Sequence, residues 1–307
     1  MTAQPQSPST QEIGILARAI SMIEARDPTW RDALLSRHGS KPPYTVGVTG
    51  PPGSGKSSLV NALIAFVRAS GQTVGVLAVD PTSQATGGAL LGDRVRMYGH
   101  SLDLGVYIRS MGARGHLGGL SLATREAVRL VGAFGFETVI LETVGVGQSE
   151  LEVASLADTT IVVVNPEQGD EVQMLKAGIL EIADIFVVNK SDLSGAKKTR
   201  QQIRQTLHLG VRRDWTPPII NTVATRSEGV EELMTATNQH REFLSQSGVG
   251  ELRRQDQLRH EVADLAAERG RELTLRRLDR DVELHQRLMT DQLPDEIVDE
   301  VLGRRPS

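Results

Sequence analysis

The chain contains no cysteine, so neither a disulfide bond nor a thiolate metal site can form. Aromatic residues make up only 3% of its 307 residues, the net charge is −4, and no block of basic residues stands out. This composition argues against a nucleic-acid-binding protein. No apolar run approaches the ~20 residues that a membrane-spanning helix needs, and residues 1–10 lack the pattern of a secretory signal. We therefore expect a soluble, cytoplasmic protein that acts on neither nucleic acid nor membrane.

One glycine-rich segment matches the phosphate-binding pattern G-x-x-x-x-G-K-[ST]. Its backbone N–H groups would turn toward nucleotide phosphates, its lysine would reach the β and γ oxygens, and its serine hydroxyl would ligate Mg²⁺. A β-rich run precedes it and helical apolar spacing follows it, which is the strand–loop–helix context that the pattern requires. The predicted phosphate-binding residues are Gly50, Pro51, Pro52, Gly53, Ser54, Gly55, Lys56, Ser57 and Ser58.

A second motif, N-K-x-D, comprises Asn189, Lys190 and Asp192 and follows the apolar run 185–188. The Asp192 carboxylate can accept hydrogen bonds from the ring N–H and the amino group of guanine, a pair that adenine does not offer. Two unmatched polar groups would disfavour ATP by roughly 10² to 10⁴. The motif therefore predicts GTP and GDP as the bound nucleotides. We assign Val223 and Ala224 to the same nucleotide site.

Apolar strand candidates alternate with helical stretches along the middle of the chain. This pattern predicts an α/β P-loop NTPase with a mostly parallel sheet covered by helices on both faces. The predicted strands are 45–49, 74–79, 106–109, 138–142, 160–165, 185–189 and 219–222. A helix over residues 11–26 precedes them. We expect an N-terminal helical segment at 1–40, a GTPase domain at 41–245 and a C-terminal helical extension at 246–307.

The C-terminal region over residues 251–292 is charged and helical in pattern, with narrow apolar stripes that need a partner surface. Two interpretations remain open. The region could form a helical hairpin that breaks at Gly270 and folds onto its own domain, or it could form a dimerisation arm.

Acidic residues stand where predicted strands end, which is the edge where a parallel sheet places its ligands. Asp80 and Glu142 each follow an apolar strand, and Asp93 lies in a glycine-rich loop. The segment 142–145 resembles the D-x-x-G element of GTPases with Glu in place of Asp, and there the Gly145 amide would sense the γ-phosphate. Each acid could instead cap the next helix. We favour a Mg²⁺ site formed by Ser57, Asp80, Asp93 and Glu142.

Taken together, several segments resemble one family, the MeaB/MMAA-type GTPases, formerly called ArgK. The resemblance extends over roughly residues 12–235 and rests on the segments 17–24, 50–57, 78–83, 87–97, 114–119, 142–150 and 168–171. These GTPases chaperone adenosylcobalamin-dependent methylmalonyl-CoA mutase and related acyl-CoA mutases.

The resemblance implies a GTPase that gates adenosylcobalamin delivery to a mutase and protects or reactivates that mutase. It also implies a homodimer, with an adenosyltransferase as a further candidate partner. Methylmalonyl-, ethylmalonyl-, isobutyryl- and 2-hydroxyisobutyryl-CoA mutases all remain open as the enzyme served. We assign no direct cobalamin site to this chain.

Carried over by position, the resemblance implies a catalytic set of Lys56, Asp93, Arg96 and Glu142, with Arg96 as a cation available to the γ-phosphate. A second switch over 168–178 would respond to the mutase through Gln168, Asp170, Gln173 and Lys176. The alternative for that segment is a capped helix start. No glutamine directly follows Gly145, so we expect slow intrinsic hydrolysis that a partner accelerates.

Two rival functions share the P-loop. A nickel-insertion GTPase would normally carry a histidine-rich or cysteine-bearing stretch, whereas the seven histidines here are scattered. A small-molecule kinase would not need the N-K-x-D motif.

Overall fold

The computed structural model of the chain describes residues 7–37, 42–80, 98–100, 102–112, 119–143, 149–166, 179–209, 214–281 and 286. Its centre is one seven-stranded sheet in the order β3-β2-β4-β1-β5-β6-β7. The strands are β1 (Tyr44–Thr49), β2 (Val74–Asp80), β3 (Val106–Gly112), β4 (Thr138–Thr143), β5 (Thr159–Val164), β6 (Ile185–Val188) and β7 (Ile219–Asn221). Every neighbouring pair is parallel. The predicted fold class and all seven predicted strands are confirmed.

Helices connect the strands and cover both faces of the sheet. They are α1 (Thr10–Glu24), α2 (Trp30–Leu35), α3 (Lys56–Ala69), α4 (Gly119–Ala133), α5 (Ser149–Leu156), α6 (Ile179–Ile182), α7 (Ala196–Leu209), α8 (Val230–Ser247) and α9 (Val249–Arg280). The sequence prediction included α1 but missed the short helix α2, which begins at the buried residue Trp30. A Ser9–Glu12 capping box starts α1 by satisfying its first N–H groups.

Alternating strand residues enter two different cores because side chains along a strand point to opposite faces. On one face, α3 and α8 pack over strand residues such as Val48, Val76 and Ile161. On the other face, α1, α4 and α5 pack over Leu77, Leu141 and their neighbours. Helix α7 covers that second face beside β5 and β6. The strands are therefore apolar on both sides, as a buried parallel sheet requires.

The C-terminal helix α9 is continuous through Gly270, so the interpretation that placed a hairpin break at that glycine is wrong. The Thr274 hydroxyl also donates to the Gly270 carbonyl, four residues earlier, at 2.8 Å. A glycine in a helix interior costs only about 1 kcal/mol, which its helix-forming neighbours can offset. The chain divides into two units at this helix, Met1–Arg253 and Arg254–Ser307. Within the described part of α9, Leu258, Val262 and Leu273 are exposed.

The amino edge of the sheet carries a buried polar network around Asp184. Its carboxylate accepts hydrogen bonds from the Thr160 backbone N–H at 2.8 Å and from the Arg253 guanidinium at 3.1 Å. His240 of α8 is 1% exposed and lies 3.4 Å from the same carboxylate, with its Nδ1 2.6 Å from the Thr159 hydroxyl. The network ties the first turn of α9 and the middle of α8 to the starts of β5 and β6.

In the ranges that the structure describes, no helix is both long and apolar enough to cross a membrane.

The buried histidine predicts a pH-dependent stability. Burial lowers the pKa of His240 below its usual 6.5, although Asp184 opposes that shift. The unfolded chain then binds this proton more readily than the folded chain, so the free energy of unfolding should be greatest above pH 6.5 and fall as the pH drops below it. We expect a lower urea midpoint at pH 5.5 than at pH 7.5.

The variant His240→Gln should have a weaker dependence on pH over this interval. His260→Gln serves as the matched control because His260 is exposed on α9, with 71% of its side chain accessible. If both variants keep the full wild-type pH slope, His240 is not its source.

Candidate functional site

The glycine-rich loop between β1 and α3 requires glycine at two positions for steric reasons. A Cβ at Gly50 would lie 2.1 Å from the Val163 carbonyl oxygen, and φ there is +140°. A Cβ at Gly55 would lie 2.2 Å from Asn189 Nδ2, with φ at +90°. Any larger residue would displace either the neighbouring strand β5 or the Asn189 side chain.

Lys56 begins α3, and its side chain folds back over the loop. The Nζ atom donates to the carbonyls of Gly50 at 2.8 Å and Pro51 at 2.9 Å, and the residue is buried. The N-cap residue of α3 is Gly55, which has no side chain to cap the helix start. The first N–H groups of a helix lack intrahelical acceptors, and the helix dipole favours an anion at that end. A buried ammonium and a helix N-terminus therefore converge on one place suited to phosphate.

A hydrogen bond between Ser57 and Glu142 joins the start of α3 to the end of β4. The Ser57 hydroxyl donates to Glu142 Oε1 at 2.6 Å, and Glu142 is only 4% exposed at the end of β4. Behind this pair, the hydroxyls of Thr49 and Thr143 lie 3.1 Å apart and join the ends of β1 and β4. A hydroxyl and a carboxylate oxygen are hard donors of the kind that Mg²⁺ prefers.

The strand register brings Asp80 to the same edge as Glu142. Ala78 is paired with Glu142 and Val79 with Thr143, so Asp80 continues β2 just beyond the end of β4. The other predicted site residues, Asp93, Arg96, Gly145, Gln168, Asp170, Gln173 and Lys176, lie outside the described residues. Their assigned roles remain predictions.

Asn189 connects the phosphate loop to the loop after β7. Its Nδ2 donates to the Ser54 carbonyl at 2.9 Å. Its Oδ1 accepts from the Thr222 hydroxyl and from the Ala224 backbone N–H, both at 3.1 Å. Asn189 is 2% exposed, so three polar groups share one buried amide as a hydrogen-bond partner. The Asn189 side chain thereby holds two separate loops in a defined position.

A cavity of about 230 Å³ opens beside this asparagine. Five residues predicted for the nucleotide's base side line it, namely Asn189, Lys190, Asp192, Val223 and Ala224, together with Gly55 and Ser58 of the phosphate-loop region. The Lys190 backbone adopts the left-handed conformation at φ 53°, and its carbonyl accepts the Leu193 N–H at 3.0 Å. This turn places Asp192 at the cavity.

Three residues of this site were not in the sequence prediction: Leu193 and Thr225, which line the cavity, and Thr222, which supports Asn189. All three follow β6 or β7 at the carboxyl edge of the sheet. That position is the signal that could have found them, because ligands of parallel sheets bind at this edge.

The fold and the two loops define a P-loop GTPase. More particularly, the chain belongs to the family described as methylmalonyl-CoA mutase-associated GTPase MeaB, whose model matches residues 16–277. The predicted family and the predicted GTPase activity are confirmed.

Known relatives agree with this assignment. The chain is 44% identical over 256 residues to a putative GTPase of Pyrococcus abyssi, covering 82% of this chain and 79% of the relative. It is 38% identical to the methylmalonic aciduria type A homolog, mitochondrial, of Mus musculus, covering 76% of this chain and 57% of that protein. The solved structure of a LAO/AO transport system kinase superposes with a TM-score of 0.65 and 25% identity, covering 95% of this chain and 96% of the other.

The geometry at Asn189 predicts the effect of removing its side chain. Asn189→Ala would leave the Ser54 carbonyl, the Thr222 hydroxyl and the Ala224 N–H without this partner in a buried place. We expect a loss of about 3 kcal/mol or more in the free energy of unfolding, measured by urea titration, because each of the three unmet polar groups costs roughly 1–3 kcal/mol. GDP affinity, measured by calorimetry, should fall by about 10-fold or more because both loops lose their common support.

Asn238→Ala is the matched control, since Asn238 is exposed on α8. Wild-type stability and GDP affinity in Asn189→Ala would contradict the supporting role.

Proposed function

We propose that this GTPase couples GTP hydrolysis to the delivery of adenosylcobalamin to an acyl-CoA mutase and to the protection or reactivation of that mutase. The observation that carries the proposal is the match of the mutase-associated family model to residues 16–277, which include the whole described nucleotide site. The same match favours a mutase partner over the nickel-insertion and small-molecule kinase alternatives. A homodimer joined through the C-terminal helices belongs to the same proposal.

The described residues fit a bound Mg²⁺ ion. Ser57 and Glu142 present a hydroxyl and a carboxylate oxygen 2.6 Å apart beside the start of α3. We infer that they hold the ion together with Asp80, at the end of β2, and Asp93, in the glycine-rich loop predicted from the sequence. When bound, Mg²⁺ neutralises developing charge on the β- and γ-phosphate oxygens.

The chain's own residues account for nucleotide positioning. The Lys56 ammonium, held over the Gly50 and Pro51 carbonyls, would exchange these acceptors for β- and γ-phosphate oxygens. The N–H groups that begin α3 would bind the same phosphates. Water then attacks the γ-phosphorus, and the β–γ bridging oxygen leaves with the bonding electrons as part of GDP. Such a transfer needs positioning and charge stabilisation and no covalent intermediate.

Base recognition is coupled to phosphate positioning through Asn189. Asp192 would accept the two guanine N–H donors at one end of the cavity. Asn189 holds the phosphate loop through the Ser54 carbonyl and the loop after β7 through the Ala224 N–H. A correctly bound guanine therefore places its phosphates against Lys56 and Ser57.

The pairing of Glu142 with Ser57 yields a test of the catalytic assignment. Glu142→Gln keeps the side-chain size but removes the charge, so we expect GTP turnover to fall by ~10² or more. GDP affinity should fall by less, because the carboxylate acts mainly on metal placement in the transition state. Phosphate release and GDP calorimetry measure the two effects.

Glu137→Gln is the control on the same strand region, since Glu137 is exposed just before β4 begins. Unchanged turnover in Glu142→Gln would reduce Glu142 to a hydrogen-bond acceptor for Ser57.

The mutase partnership is tested by GTP turnover with and without a purified adenosylcobalamin-dependent mutase. Each of the four candidate acyl-CoA mutases is added in turn, and the wild type should accelerate with one of them. Asp170→Ala or Lys176→Ala in the predicted switch should keep intrinsic turnover within a few-fold but lose about 10-fold of the acceleration.

Glu181→Ala on α6 is the control, because it removes an exposed charge three positions after the predicted switch in the sequence. Acceleration that is equal in wild type and both switch variants would remove the switch role from residues 168–178. A wild type that responds to none of the four mutases would overturn the mutase proposal and leave the GTPase assignment standing.

A further inference from the structure

The loop after β7 closes into a short clip that carries two charged side chains. Residues Ala224–Arg226 form a single 3₁₀ turn, and Ser227 follows in the left-handed conformation at φ 57°. Val223 and Glu228 then exchange backbone hydrogen bonds of 3.1 and 3.3 Å. The clip, residues 223–228, therefore starts with cavity-lining residues and ends in a backbone bridge to its own first residue.

This bridge brings Arg226 and Glu228 together. The guanidinium donates from Nε to Glu228 Oε1 at 2.7 Å and from Nη2 to Oε2 at 3.4 Å. Two contacts between a planar guanidinium and a carboxylate restrict the orientation of the arginine more than a single contact would. The remaining nitrogen, Nη1, lies 3.6 Å from Asp192 Oδ2. Consecutive contacts between charged side chains thus connect Glu228 through Arg226 to Asp192 at the cavity.

Asp192 has both apolar and polar neighbours at the cavity. The side chains of Leu193, Val223 and Ala224 cannot donate a hydrogen bond, whereas those of Ser58, Lys190 and Thr225 can. In the part of the chain that the structure describes, Arg226 is the cation within 4 Å of the Asp192 carboxylate. The Asp192 side chain is 41% exposed, so an unassisted carboxylate could adopt other rotamers.

We propose that Arg226 is a positioning residue that orients Asp192 for the guanine edge and so contributes to nucleotide specificity. This inference rests on the proposed base site at Asp192. A carboxylate accepts the two guanine donors only if both of its oxygens face the base. Contact between Nη1 and one lone pair of Oδ2 leaves the other lone pairs available, because each carboxylate oxygen has two. Glu228 orients the guanidinium in turn.

The pair is partly exposed, with 53% of the Arg226 side chain accessible. Salt and water weaken such a contact, so its effect on affinity should be modest and should shrink at high ionic strength. The specific expectation concerns discrimination between bases. Arg226 should affect the affinity for a base that offers both N–H donors more than the affinity for a base that offers one or none.

The test compares GDP, IDP and ADP by calorimetry. The hypoxanthine base of IDP keeps the ring N–H but lacks the exocyclic amino group, so it makes one of the two contacts to Asp192. In Arg226→Ala we expect GDP affinity to fall by about three- to five-fold at low salt. IDP affinity should fall less, and ADP affinity should not change, so the ratio of GDP to IDP affinity narrows. At 0.5 M salt the difference from wild type should shrink.

Arg226→Lys keeps the charge without the planar guanidinium. Its ratio of GDP to IDP affinity should lie between those of Arg226→Ala and the wild type. Lys197→Ala is the matched control: it removes one exposed positive charge at the start of α7 and should retain the wild-type ratio. Thermal unfolding of each variant checks that the fold is intact.

Different outcomes test the positioning role of Arg226 and the base site at Asp192. If the wild type prefers GDP over ADP but Arg226→Ala keeps the wild-type ratio of GDP to IDP, Arg226 does not position Asp192. An equal loss for GDP, IDP and ADP would likewise overturn the positioning role and make Arg226 a structural part of the clip. A wild type that binds GDP and ADP equally would overturn the base site itself.

Discussion

The nucleotide site depends on one buried side-chain amide. Asn189 makes contact with the phosphate loop at Ser54 and with the loop after β7 at Thr222 and Ala224. These contacts are possible because β1, β6 and β7 are parallel and end at the same edge of the sheet. Gly55 permits the close approach, since a Cβ there would lie 2.2 Å from the amide nitrogen. The Asn189 amide therefore fixes the position of the phosphate loop relative to the loop after β7.

The two edges of the sheet use buried polar groups differently. At the carboxyl edge, Lys56, Ser57 and Glu142 converge where charged phosphates can replace or extend their present contacts. At the amino edge, Asp184 is surrounded by donors from β5, α8 and α9. The first group is suited to exchanging partners with a ligand. The second joins helices to strand starts and keeps its partners within the fold.

Family membership and site geometry support different parts of the functional conclusion. The geometry supports the proposed mode of GTP binding, because Lys56, Ser57, Glu142 and Asn189 lie together at the carboxyl edge of the sheet. The mutase partner is inferred from the family whose model matches residues 16–277. Nucleotide turnover and partner response are separate measurements, so the two conclusions can be tested independently.

The sequence by itself determined the strands, the phosphate loop and the guanine motif, because all depend on local patterns. Apolar runs predict buried parallel strands, and the glycines at 50 and 55 meet a backbone requirement that no other residue satisfies as readily. Only the tertiary structure decided which distant residues support the site. Ser57 and Glu142 are 85 positions apart, and Asn189 and Ala224 are 35 apart. The strand order that unites them, the continuity of α9 through Gly270 and the approach of Arg226 to Asp192 arise from packing and long-range hydrogen bonds. Local sequence patterns do not encode such contacts, because each depends on where another part of the chain lies.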